Sequence, residues 1–97
     1  MSEVIEAAVE AMQTRFGSGI DGTAMFVLRG EGAVVVDREG VRAGTDADEA
    51  DVTLTASVDT FRAILDGDLS PTVAFMSGRL GIEGNMGLAM RLASSMG

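Results

Sequence analysis

Four acids crowd into six positions of this chain, Asp46, Asp48, Glu49 and Asp51, and four glycines recur at every third position further on, Gly78, Gly81, Gly84 and Gly87. The first group could hold a calcium ion and the second could cradle a phosphate. Neither has the required pattern. A calcium loop needs oxygen ligands at fixed spacing with a glycine at the sharp turn, and "DADEAD" lacks both, so it reads as a solvated acidic turn. A phosphate cradle needs G-x-G-x-x-G directly after a strand. "GIEGNMG" does not supply it, and no basic residue lines the turn.

The wider inventory is as bare. The sequence holds no His, Cys, Lys, Tyr or Trp. That removes the usual general base, the thiol and amine nucleophiles and the transition-metal ligands. A serine would have no His or Lys to activate it. Carboxylate-pair chemistry is what survives on paper, so a carboxylate-dependent hydrolase is the enzyme-class rival. The expectation is a protein with no catalytic residues, no metal and no cofactor.

The elements that must position a site follow from periodicity. Residues 3–16 carry Ile5, Ala8, Val9, Met12 and Phe16 at helical spacing, with Ser2 as N-cap and Gly17 as stop. Glycine-punctuated strands are expected at 23–29, 33–37 and 41–45. Residues 51–57, "DVTLTAS", alternate Val52, Leu54 and Ala56 against Thr53, Thr55 and Ser57, which gives one covered and one wet sheet face. Helices are expected at 58–66, capped by Ser57 and stopped by Gly67, and at 71–77, with Ser70 as N-cap and Pro71 at the first helical position. A strand over 79–83 turns Leu80 and Ile82 inward, and Asn85 caps a last helix over 86–96. The glycine period of three is then a by-product of a helix–strand–helix layout. The pattern is one α+β domain over residues 1–97, a two-layer arrangement of a five-stranded, largely antiparallel sheet covered on one face by helices.

Charge excludes other partners. Fifteen acids against seven arginines give a net charge of −8. A nucleic-acid backbone needs a basic patch, and the same repulsion opposes tight docking on an anionic membrane. No apolar run reaches membrane-spanning length, and "MSEVIEAAVE" does not read as a signal peptide, so the expected location is the cytoplasm. Nothing in the sequence sets an oligomeric state. Of seven methionines, Met76, Met86, Met90 and Met96 fall in the last quarter. The final helix is apolar over a wider arc than one sheet contact requires. Methionine suits a cavity that moulds around variable apolar shapes, although its spacing alone also fits ordinary core packing.

Residues 50–92, "ADVTLTASVDTFRAILDGDLSPTVAFMSGRLGIEGNMGLAMRL", resemble the second half of the sterol carrier protein type two domain. The most specific piece is 75–92, with its Phe-Met-x-Gly ending, short strand, Gly-Asn turn and Leu-Ala-containing helix. The resemblance implies a five-stranded sheet layered with helices around an apolar tunnel for sterols, fatty acids or acyl-CoA, and no catalytic residues. It carries over to Phe75, Met76, Leu80, Ile82, Gly84, Asn85, Met86, Leu88, Ala89 and Met90. It also favours the cavity reading of the methionines.

The family's last strand is often lysine-rich. Here it reads Arg79, Gly81 and Glu83, which argues against a membrane-docking strand and against an anionic CoA head group. The sequence also stops at Gly97 without a peroxisomal targeting tripeptide. The expected function is carriage of a lipid or other apolar small molecule, with Phe61, Leu65, Leu69, Phe75, Met76, Leu80, Ile82, Met86, Met90 and Ala93 lining the tunnel. The rival is an accessory or oligomerisation domain with a small or filled cavity.

Overall fold

The computed structural model describes residues 3–45 and 48–96. Ser2 and Asp46 lie outside them, as do the side chains of Ser95 and Met96. The chain runs α1 (Glu3–Phe16), β1 (Ala24–Leu28), β2 (Gly32–Asp37), β3 (Gly40–Gly44), β4 (Val52–Ala56), α2 (Val58–Leu65), α3 (Pro71–Met76), β5 (Gly81–Gly84) and α4 (Met86–Met96). The nine expected elements are present in their expected order.

The five strands form one mixed sheet in the order β3-β2-β1-β4-β5. β1 pairs antiparallel with β2 and parallel with β4, and the outer pairs are antiparallel. Register aligns Ala43, Val34, Phe26, Leu54 and Ile82 in one row across all five strands. That row faces the helices, and Phe26, Val34 and Leu54 are buried in the core against Ile5, Met12 and Phe16 of α1 and Phe61 and Ile64 of α2. Three of the four phenylalanines join in a line: Phe26 stacks on Phe16 at 6.4 Å and meets Phe61 edge-on at 5.9 Å. Such ring pairs add to the burial of the rings themselves. The fourth, Phe75, stands apart on α3.

Local signals explain most ends. Ser57 Oγ accepts from the Thr60 N–H at the start of α2, and Asn85 Oδ1 accepts from the Leu88 N–H at 3.0 Å at the start of α4. Both satisfy a donor that the helix cannot. Pro71 opens α3 as expected, but Ser70 makes no side-chain cap bond. α1 ends at Phe16, while the left-handed residue is Gly19 rather than Gly17. Gly17 is there for space, since a Cβ on it would lie 2.5 Å from the Gln13 carbonyl oxygen.

The uncovered sheet face is less polar than the Thr53–Thr55 alternation suggests. Val35 points away from the helices yet is fully buried, between Met25 and Arg42 in register and against Gly44, where a Cβ would come within 2.7 Å of it. On the same face Arg42 pairs with Asp37 and, at 3.2 Å, with Asp48. Asp48 also accepts from the Thr45 N–H at 2.8 Å. Asp51 does more than sit in a solvated turn. Its Oδ2 accepts from the Thr23 N–H at 2.9 Å, its N–H donates to the Thr23 carbonyl, and its own carbonyl accepts from the Asn85 N–H at 2.8 Å. One residue therefore ties the starts of β1 and β4 to the turn that launches α4.

That turn depends on Gly84, at φ +105°, where a Cβ would lie 2.3 Å from the Asp51 carbonyl oxygen. Gly84→Ala is expected to lower unfolding free energy by at least about 2 kcal/mol, from left-handed strain plus a backbone clash. Gly81→Ala meets nothing nearer than 3.7 Å and is expected to stay within about 0.5 kcal/mol of the parent. Urea melts of the two variants check the contrast.

The Arg42 guanidinium bond holds the Asp37 carboxyl below its ordinary value of 3.8, and the Thr45 N–H followed by Arg42 does the same for Asp48. Depressed carboxylate pKa values contribute stability above the unfolded pKa, which is lost as pH falls through the folded one. Wild type is therefore expected to be more stable than Arg42→Gln near pH 7. The gap should narrow as pH drops below 3.8, which urea midpoints across that range would show.

Candidate functional site

Two apolar regions of the helix layer share no lining residue, and a smaller recess of about 170 Å³ lies apart from both, between Ile20, Asp21, Leu88, Arg91 and Leu92. The first lies where α3 and α4 cross the β4–β5 edge of the sheet. Its inner cleft measures about 210 Å³ and is walled by Leu54, Leu80 and Ile82 from below, Pro71, Thr72 and Phe75 from α3, and Met86, Ala89, Met90 and Ala93 from α4. Thr72 is the one polar lining residue. An outer cleft of about 410 Å³, bordered by Gly67, Leu69, Ser70 and Ser94, shares Pro71, Thr72, Met90 and Ala93 with it. The two are thus one continuous recess with an apolar floor and three hydroxyls, of Ser70, Thr72 and Ser94, near its opening. Together they exceed the roughly 300 Å³ at which ligand pockets begin.

The geometry comes from local sequence. Helix α3 has six residues and leaves α4 to roof the rest of the recess. α4 buries Leu88, Ala89 and Leu92 against the core and turns Met86 and Met90, one helical turn apart, over the cleft. Met86 and Met90 are 47% and 71% exposed. They form a rim rather than a packed wall. Methionine's unbranched side chain can move across such an opening at little cost.

The second region, of about 290 Å³, lies between α1 and α2 above Leu28, and its walls include Val4, Ala7, Ala8, Ala11, Phe61 and Leu65. Phe61 and Leu65, expected in one tunnel with the others, belong here. They line a different apolar space from the other expected residues. Of the other expected residues, Phe75, Leu80, Ile82, Met86, Met90 and Ala93 converge on the inner cleft, and Leu69 borders the outer one. Met76 lines none of these spaces and is 80% exposed. The sequence reading passed over Pro71 and Thr72. Ala7 and Ala11 were not expected to line a space either, and Ala8 was expected only on the apolar face of the first helix; the small side chains of all three on one stretch of α1 were a usable sign of empty space beside it.

Chemically, the recess holds no acid, base, thiol or amine. Among the described residues no group of three potential metal-ligating side chains comes together, and no helix is long and apolar enough to cross a membrane. What the recess can do is exclude water from an apolar body and meet a polar end with hydroxyls.

The fold and this recess define a small α+β module built around apolar space next to a one-sided sheet. A family model described as the SCP-2 sterol transfer family matches residues 6–97, and the chain belongs to that family. Curated relatives include hydroxysteroid dehydrogenase-like protein 2 of Bos taurus, 38% identical over 97 residues and 99% of this chain, and its Homo sapiens counterpart, 37% identical over the same extent. The chain spans 22% of the length of each. Among solved structures, the crystal structure of sterol carrier protein 2 like 2 from Aedes aegypti superposes with a TM-score of 0.78 at 25% identity, covering 94% of each chain. The solution structure of Aedes aegypti sterol carrier protein 2 in complex with the C16 fatty acid palmitate gives 0.77 at 20% identity, covering 99% of this chain and 96% of that one.

The division of labour on α4 is testable. Leu92, 2% exposed, is expected to cost about 2–4 kcal/mol when cut to Ala, as a packed core residue. Met90→Ala, at the rim, is expected to cost less than about 1 kcal/mol. Denaturant melts of both variants measure the difference.

Proposed function

We propose that this chain binds and carries, without chemical turnover, a single amphiphile with one apolar chain or sterol-like body, its apolar part in the α3–α4 recess. The observation that carries the reading is the inner cleft, whose lining is apolar at every position but Thr72. Burial contributes roughly 0.8 kcal/mol per CH₂, so a ~12-carbon chain gains ~10 kcal/mol gross before the costs of association. The polar end stays at the opening, where Ser70 and Thr72 can donate hydroxyl hydrogen bonds, because the floor offers it no partner.

Three findings support the reading: membership of the sterol transfer family, the palmitate held by an Aedes aegypti protein of the same fold, and a recess without acid, base or nucleophile. The longer relatives carry dehydrogenase-like names. The segment they share with this chain contributes binding in our reading, with residues 1–97 acting as one ligand-binding unit.

Displacement of a fluorescent fatty acid, together with native mass spectrometry of protein purified without detergent, tests the proposal. Ala93 borders both parts of the recess, so Ala93→Phe fills it and is expected to weaken probe binding at least about tenfold, the loss of two or so buried methylenes. Ala8→Phe, which fills the space between α1 and α2 instead, is expected to leave probe affinity within about twofold. The opposite ranking would move the ligand to the α1–α2 space. Absence of both probe binding and co-purified lipid would overturn carriage altogether.

A further inference from the structure

A single class of side chain in this sequence reacts readily with mild oxidants. With no Cys, His, Tyr or Trp, the seven methionines are what a peroxide meets. Their placement is uneven. Met12 is fully buried in the core and Met25 is half-buried on β1. Met76, Met86 and Met90 are exposed. Met1 and the side chain of Met96 lie outside the described residues. Among the described methionines, the accessible thioethers therefore sit on α3 and α4, and those of Met86 and Met90 line the inner cleft.

The surroundings of each sulfur decide what an added oxygen does. Leu88, Ala89 and Leu92 hold α4 to the core, and hydrogen peroxide attacks none of them, so oxygen added at the rim leaves that packing in place. At Met12 the same oxygen would be an unpartnered polar atom in the core. At Met86 and Met90 it changes the lining. A flexible apolar thioether becomes a polar, chiral sulfoxide with a strong hydrogen-bond acceptor. The inner cleft, apolar at every position but Thr72, then presents that acceptor to the apolar body of a ligand, which has no donor for it. Seating the ligand strips water from the sulfoxide oxygen and puts nothing in its place.

We propose that Met86 and Met90 form a reversible oxidation site that closes the recess to its ligand, an inference that rests on the carriage reading above. The oxidant is hydrogen peroxide. The thioether sulfur attacks one peroxide oxygen, and a sulfur–oxygen bond forms as the oxygen–oxygen bond breaks. The departing hydroxide takes the proton from the transferred oxygen and leaves as water. Sulfur is oxidised and the peroxide is reduced. Methionine sulfoxide reductases, one for each sulfoxide epimer, reverse the change. A dithiol is then oxidised to a disulfide and the oxygen leaves as water. The reduced protein holds its ligand, and the oxidised protein releases it.

Dilute hydrogen peroxide, peptide mass spectrometry and the fluorescent fatty-acid probe test this on the full chain. Met76, Met86 and Met90 are expected to gain oxygen before Met12 and Met25. Saturating probe is expected to slow oxidation of Met86 and Met90 but not of Met76, which lines none of the spaces. Probe affinity is expected to fall about tenfold on oxidation and to return after treatment with both reductases, with little change in urea midpoint. The double variant Met86→Leu, Met90→Leu lacks both rim sulfurs. Whatever its starting affinity, peroxide is expected to change it by less than about twofold. Met76→Leu keeps both rim sulfurs and is expected to lose affinity on oxidation as wild type does. Equal losses in wild type and the double variant would overturn the proposal by placing the effect at another methionine. Oxidation of Met12 as fast as Met90 would overturn it in favour of general unfolding. Absence of probe binding before peroxide would overturn carriage and the switch together, whereas binding that survives full conversion of Met86 and Met90 would overturn the switch alone.

Discussion

The central strand β1 carries the constraint on which the other parts depend. It pairs antiparallel with β2 on one side and parallel with β4 on the other, so the chain must leave the sheet after β3 and return alongside β1 in the same direction. A hairpin turn sets register for its own two strands. No turn does so for a parallel pair separated by some thirty residues. Here the backbone and side-chain bonds between Thr23 and Asp51 supply the missing alignment. With that pair in place Phe26 lies beside Leu54, and Ile82 falls next to Leu54 on the far side. The floor under α2, α3 and α4 is then complete.

That clamp also explains why the acidic stretch was the least legible part of the sequence. Asp51 reads as a solvent-facing turn residue because its carboxylate partner is the Thr23 N–H, and a sequence does not display which N–H groups a fold leaves open; Asp48 is held by the Thr45 N–H and by Arg42, from a neighbouring strand. Most helix and strand limits were readable, because Ser57, Pro71 and Asn85 act over one turn of chain. The parallel pairing was not readable, since it is a relation between distant strands. Nor was the burial of Val35, where three consecutive valines hide which of them faces outward.

The recess shows the same split between local and distant information. Phe75, Leu80, Ile82, Met86, Met90 and Ala93 were expected together and do converge, since β5 and its flanking helices are consecutive in sequence. Phe61 and Leu65 sit on the correct side of the sheet but line the space next to α1, a relation between distant parts of the chain. Met76 falls outside both. Six residues of α3 are too few turns for periodicity to assign one inward face. An apolar residue there can therefore lie on the outer surface and still look, in the sequence, like part of a lining.

The two edges of the sheet bear on how the protein behaves in a crowded solution. β3 begins and ends on glycine and carries Arg42, held by two carboxylates. β5 is four residues long, two of them glycine, with Glu83 between a half-buried Ile82 and the turn. An unpaired strand edge invites another chain to extend the ladder, and short, charged, glycine-ended edges discourage it. A sheet with one uncovered face and no barrel closure is therefore guarded at both rails, which opposes the edge-to-edge growth by which open sheets aggregate.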